Sequence, residues 1–434
     1  MHKRALMVTT VPVTLQAFLL PLVDALRDNG WVVDALTGRS NDAVMMGDEG
    51  VLQQHFNEVF QIGWYRSAMS FLRIGSLARE IAELVAVGDY DVVHVHTPIA
   101  SFITRFALRN MPIEARPRII YTAHGFHFLD EPDPPLSSHF YRGIEQYSMH
   151  VTDDLVVMND MDEYTARNLV SYTKKNARPT TLHRIDGTGI DFGLFSASHP
   201  DADEKARRRA ELGIPIDAVL VGMVAEMNEN KRHRLLIEAA RRLTDHKPAI
   251  HYLLIGSGPL KDVLIEKTVA FDLAPYVHFT GQLSYKQVRE LIPLCDLGIL
   301  VSRREGLPRS LMEFIASHVA VIGTTTRGIT DIVYEKDALC EPNAVALADL
   351  IRHYAHNPAL REALASDQYA YARAHYDTSV VVPQYLKLYR PIRAGIRVAA
   401  EQPQYSVYRA RSRAPSATRS HAVPRDSRAR SERG

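Results

Sequence analysis

Along the 434 residues, short continuous apolar runs alternate with longer stretches in which apolar positions recur every three or four residues. The first pattern suits parallel strands covered on both faces, and the second suits the helices that cross between them. In the first half it predicts strands over Ala5–Thr9, Val32–Leu36, Val92–His96, Ile119–Thr122 and Leu155–Met158. Helices are predicted over Gln16–Asn29, with Gly30 as its terminating glycine, and over Gly75–Val87.

A Gly-rich stretch without periodicity, Arg184–Phe195, interrupts the pattern before a second series starts. Strands are predicted there over Val219–Val224, His251–Ile255, Val277–Thr280, Leu297–Val301 and Val319–Gly323. Helices over Leu235–Thr244, Tyr285–Leu294 and Leu311–Ser317 separate them, and Ala365–Ala374 and Val380–Tyr389 close the pattern. The expected architecture is α/β, with two Rossmann-like domains facing each other across a cleft. Residues 1–190 form the first domain, 191–375 the second, and 376–390 a closing helix that returns to the first.

Composition agrees with a folded protein of two domains, because 46% hydrophobic and 23% charged residues over this length can bury a full core. The formal net charge of +1 is unevenly placed: residues 391–434 hold ten Arg against Glu401, Asp426 and Glu432, leaving the rest at −6. That segment is rich in Arg, Ser, Ala and Pro, and is expected to be a disordered basic tail. An acidic body and a tail with few aromatics argue against nucleic acid as a partner. Two readings of the tail stay open, a plain solvated extension and a peripheral contact with anionic membrane lipid.

The opening MHKRALMVTTVPV superficially resembles a secretory leader, but Pro12 breaks its apolar run and no small-residue cleavage site follows. It is expected to be the first strand. No window approaches the roughly 20 apolar residues of a membrane span. Cys295 and Cys340 both lie in apolar surroundings, which predicts buried thiols and a reducing, cytoplasmic location, peripheral at the inner membrane face if the tail binds lipid.

Candidate chemistry concentrates in Ser302-Arg303-Arg304-Glu305-Gly306-Leu307-Pro308-Arg309-Ser310-Leu311-Met312-Glu313. This segment leaves a predicted strand and enters a predicted helix, so the Gly306 and Leu307 amides and the helix dipole suit a diphosphate. Glu305 and Glu313 are placed to accept hydrogen bonds from sugar hydroxyls. These two acids match the E-x7-E motif of the retaining glycosyltransferases of family 4, which have the GT-B fold, and the resemblance covers residues 1 to about 390.

Further segments carry the same resemblance. Gly222–His233 resembles a G-E-L-N-x-N-K-x-H pattern of the family's bacterial capsule and exopolysaccharide branch. Lys231 matches the lysine that contacts the donor diphosphate, and Asn228 lies beside it. Glu226 stands where the wider family has an arginine, for which Asn228, Arg304 or Arg309 are candidate substitutes. Tyr121–Phe128 resembles the T-x-H-G segment, placing His124 near the donor sugar, and His127 is additional.

Val93–Pro98 resembles the H-x-H-x-P segment, in which His96 is expected to face the cleft. His94 and His127 read equally well as satisfied strand-end histidines. Gly256 begins a G-x-G-P-L stretch similar to one near the family's base pocket, and Gly187–Asp191 resembles an interdomain G-x-G-I-D.

The resemblance implies a retaining hexosyltransferase for surface polysaccharide, moving a sugar from a nucleotide diphosphate donor, preferably uridine-linked, to a glycan or lipid-linked acceptor. His124, Lys231 and Glu305 would act at the reacting centre. Asn228, Arg304, Gly306, Leu307, Glu313 and Gly256 would bind the donor, and His96 and His127 would lie on the acceptor side. No cofactor and no metal are expected, since Asp89-Tyr90-Asp91 reads as a turn and the histidines lack carboxylate or thiolate partners at convincing spacing. The competing classes are a nucleotide-sugar epimerase on the same fold and a binding protein that uses the basic tail.

Overall fold

The computed structural model describes all residues except 1–2, 41–42, 65–71, 127, 129–135, 173–177, 246–247, 391–407 and 410–434. Seven strands of the first domain follow in order: β1 (Lys3–Val8), β2 (Trp31–Gly38), β3 (Val59–Ile62), β4 (Val92–His96), β5 (Arg118–Thr122), β6 (Asp154–Val157) and β7 (Thr181–Arg184). The second domain has β8 (Val219–Val224), β9 (Ile250–Ile255), β10 (Val277–Gly281), β11 (Leu297–Leu300), β12 (Val321–Thr324) and β13 (Leu339–Cys340). Of the tail, β14 (Tyr408–Arg409) is described, and it runs antiparallel beside Phe60 and Gln61 of β3.

The first sheet has the order β14-β3-β2-β1-β4-β5-β6-β7, and the second β10-β9-β8-β11-β12-β13. All pairings except that of β14 are parallel. Strands β4, β5 and β6 are buried along their whole length, as expected when helices cover both faces. The run that opens the chain is β1, at the centre of its sheet between β2 and β4.

The helix anticipated over Gln16–Asn29 is two, Pro12–Phe18 and Leu20–Asp28. Pro21 explains the break, since it has no amide to donate and its ring crowds the carbonyl four residues back. Asp89-Tyr90-Asp91 is structural: Asp91 accepts from the Arg4 amide at 2.9 Å, and the Tyr90 hydroxyl donates to Asp34 at 2.8 Å. Cys295 is buried as expected, whereas Cys340 at the end of the short β13 is half-buried, and both are free thiols.

The chain crosses between domains twice, and the crossings are hydrogen-bonded to each other. The Ile190 amide donates to the Tyr376 carbonyl at 2.9 Å and the Thr378 amide to the Ile190 carbonyl at 3.0 Å. Helix Pro358–Tyr376 belongs to the second domain's core, where Leu364, Ala372 and Tyr376 are buried. Helix Thr378–Leu386 instead packs Val381, Val382 and Tyr385 into the first domain's core with Met7 and Trp31.

Candidate active site

The carboxyl ends of both sheets meet at the crossing, so loops after β4 and β5 face loops after β8 and β11. Gly306 lies so close to the first domain that a Cβ there would sit 2.0 Å from the His124 carbonyl oxygen. Gly125, at φ +116°, uses a backbone region that side-chain-bearing residues rarely adopt. Asn159, after β6, donates its side-chain amide to the Gly306 carbonyl at 3.0 Å. The predicted phosphate loop thus touches the predicted sugar-side histidine segment.

Lys231 reaches the same loop from β8. Its ammonium donates to Glu305 at 2.5 Å, joining two residues 74 apart in sequence. Asn228 positions this lysine, because its side-chain oxygen accepts from the Lys231 amide at 3.1 Å and caps the short turn Glu229–Lys231. Asn230 ties the turn to the facing loop through the Arg304 carbonyl at 3.1 Å. Glu226 is exposed, and its carbonyl accepts from the Asn228 amide at 2.9 Å.

Glu313 projects from helix Arg309–Ala316, is buried, and accepts from Arg309 at 2.9 Å one turn earlier. Burial pushes its carboxyl above the usual range, with Arg309 opposing. Arg309 also donates to the Gly189 carbonyl in the crossing at 3.2 Å and to the Tyr285 hydroxyl at 2.9 Å, and lies 5.5 Å from the ring of Phe18. Gly256 packs against a neighbouring loop: at φ +133°, a Cβ there would lie 2.3 Å from the Ala225 carbonyl oxygen.

On the first domain, His124 lines a cleft of about 500 Å3 together with Thr10, Val13, Thr97, Ile99 and Tyr141. The first loop, Thr9–Thr14, therefore forms part of this wall. Burial of its ring in the cleft wall lowers the His124 pKa to about 4, so the ring is neutral near pH 7. His96 was expected to face the cleft, but it is fully buried behind His124, and its Nδ1 lies 3.2 Å from His124 Nε2. The reason is that β4 turns His94 and His96 to one side, which the end of the closing helix covers. There His94 sits between the Tyr389 hydroxyl at 2.6 Å and Thr122 at 2.7 Å. His94 is therefore a satisfied core histidine, its pKa lowered by burial to about 3. His127 lies outside the described residues.

Sequence reasoning missed one cluster. Arg327, after β12, pairs across the cleft with Asp162 at 2.7 Å, and Asp162 also accepts from the Phe126 amide at 3.2 Å and from Asn159 at 2.7 Å. Among the described residues, no group of three or more His, Cys, Asp or Glu is arranged to hold a metal ion.

Two Rossmann-like domains, with the Lys231–Glu305 pair at a helix N-terminus and a facing histidine, suit a glycosyltransferase of the GT-B fold, and the comparisons show that this chain is one. The family model for glycosyl transferases group 1 matches residues 204–372, and that for Glycosyltransferase Family 4 matches 16–184. Among curated proteins, the putative glycosyltransferase EpsD of Bacillus subtilis is 27% identical over 371 residues, 85% of this chain and 91% of that protein. The putative teichuronic acid biosynthesis glycosyltransferase TuaC of the same organism is 31% identical over 45% of this chain and 48% of its own. Among solved structures, sucrose-phosphate synthase of Thermosynechococcus elongatus aligns with a TM-score of 0.71 at 19% identity, covering 89% of this chain and 98% of that one. HepE of Anabaena, solved with UDP and glucose, aligns at 0.68 and 18%, covering 89% and 99%.

Proposed function

We propose that this glycosyltransferase is a retaining hexosyltransferase of surface polysaccharide synthesis, taking its sugar from a uridine diphosphate donor and giving it to a glycan or lipid-linked acceptor. The observation that carries this reading is the convergence of Lys231, Glu305 and the Gly306 loop from one domain on His124 from the other. A cation next to carboxylates and a helix N-terminus suits a diphosphate leaving group, whose developing charge the ammonium offsets. When the donor enters, Lys231 turns from Glu305 to the diphosphate, and Glu305 is released to hold sugar hydroxyls. Glu313 receives the ribose, and neutral His124 donates or accepts a hydrogen bond beside the reacting carbon.

Retention by a covalent enzyme intermediate would need a free carboxylate facing the sugar from the first domain. Among the described residues Asp162, near the Asn159 contact with Gly306, is fully buried and committed to Arg327, Asn159 and Phe126. This supports reading the reaction as front-face transfer, in which an oxygen of the departing diphosphate takes the acceptor proton. It uses no metal and no cofactor. Among the described residues no helix is long and apolar enough to cross a membrane, and the proposed location is the cytoplasm; for the basic tail, a plain solvated extension and a contact with anionic lipid both stay open.

Incubation with a panel of uridine diphosphate sugars and bacterial lipid and glycan extracts should yield a glycosylated product whose new linkage keeps the donor's anomeric configuration. An inverted linkage would remove the retaining assignment. Epimerised nucleotide sugar formed from donor alone in stoichiometric yield would replace the transferase reading.

A further inference from the structure

A second hollow, of about 290 Å3, lies on the first domain outside the cleft at His124. Helices Asp160–Leu169 and Leu136–Ser148 wall it. Met161, Tyr164, Thr165 and Asn168 fall at i, i+3, i+4 and i+7, which places them on one stripe of their helix. Arg142 and Gln146, at i and i+4, come from the other. Tyr164 is 70% exposed, and neither the Gln146 nor the Asn168 side-chain amide hydrogen-bonds to another described residue. Arg142 lies 5.5 Å from the ring of Phe128, which holds its guanidinium at the rim.

Residues adjoining both walls reach the reaction cleft: Tyr141, which precedes Arg142, lines the cleft at His124, and Asn159, which precedes the second helix, bonds the Gly306 carbonyl.

We propose that this hollow is a subsite for the non-reacting part of an extended, neutral glycan acceptor. A pyranose ring has an apolar face of C–H groups that packs on an aromatic ring, and an equatorial fringe of hydroxyls that amides and a guanidinium satisfy. Tyr164 supplies the first, and Gln146, Thr165, Asn168 and Arg142 supply the second. The lining is largely apolar, which suits the C–H face of a sugar ring, with Arg142, Gln146, Thr165 and Asn168 as its polar groups. The proposal rests on the transferase reading and specifies its acceptor.

The test is saturation-transfer NMR on the full chain with three neutral tetrasaccharides, an α-glucan, a β-glucan and a chitin fragment. At least one is expected to bind, with affinity at least tenfold weaker in Tyr164→Ala and Asn168→Ala and with unchanged melting temperature, since both side chains are exposed. Absence of binding by all three, or binding that neither substitution moves, overturns the subsite. So does co-sedimentation with phosphatidylglycerol vesicles that Tyr164→Ala abolishes, which would make this face a membrane contact. Uridine diphosphate should stabilise both variants as it does the parent, so loss of glycan binding with nucleotide binding intact indicts the hollow alone. Failure of the parent to bind the nucleotide removes the reading beneath it.

Discussion

At the scale of single residues, the site depends on one ion pair and one missing side chain. The Lys231 and Glu305 side chains are only 21% and 12% exposed, and their pair holds both groups at the loop until a donor separates them. Lys231→Ala should lower kcat by about 10^2 to 10^3, because an oriented charge at a leaving group is worth roughly that much, and should lower the melting temperature, because it leaves the Glu305 carboxylate without its cation. Steady-state kinetics and a thermal melt check this together. Gly306→Ala should be as damaging by another route. Its Cβ would overlap the His124 carbonyl and force the domains apart. Turnover should collapse while uridine diphosphate affinity, which depends on the second domain, is retained; an active Gly306→Ala enzyme would show that the contact is not needed.

At the scale of elements, burial fixes the charge state of a histidine in β4 and of another that opens helix His233–Ala240. His94 and His233 are buried, with pKa values lowered to about 3 and about 4. The unfolded chain takes up protons on these histidines near pH 6.5, and the folded chain only well below that. More protons are then bound by the unfolded state, so stability is full above pH 6.5 and falls as pH drops toward about 4. Urea unfolding at pH 7 and pH 5 should differ by about 2 kcal/mol per such histidine, and His94→Gln should remove one share of that difference. A pH-independent unfolding free energy would contradict the assigned burial.

Elements also show what the sequence makes legible. Strands β1, β4, β5, β8 and β9 are continuous apolar runs because both faces are covered, and the pattern locates them. Strands β3, β7 and β13 escape notice: Thr181–Arg184 is nowhere fully buried and so is not an apolar run, and Leu339–Cys340 is only two residues long. The candidate loop was legible because its chemistry is contiguous, from Ser302 to Glu313. The Asp162–Arg327 pair was not, since its partners stand 165 residues apart and neither sits in a recognisable pattern. The orientation of His96 was misjudged for a similar reason: periodicity gives the side of β4 it occupies, but not that Tyr389 and His124 would cover that side.

At the scale of the whole molecule, the described residues hold the domains closed through polar bonds between loops, which a protein that must admit and release substrate can break and remake. Arg327–Asp162, Asn159–Gly306 and Arg309–Gly189 tie the loops together, and the paired crossings at Ile190 and Tyr376 to Thr378 form the hinge. Arg327→Ala should loosen the closed arrangement, raise the radius of gyration seen by small-angle scattering, and lower kcat/KM about tenfold, with each domain still folded. An unchanged scattering profile would place closure elsewhere.

The central claim is that the Lys231–Glu305 loop is where a nucleotide diphosphate binds, and thermal stabilisation by uridine diphosphate tests it most directly. At 100 times its dissociation constant the nucleotide should stabilise the parent by about 2.7 kcal/mol, and Lys231→Ala at the same concentration should lose most of that. Equal stabilisation of parent and variant, or none in the parent with any nucleoside diphosphate, would contradict it.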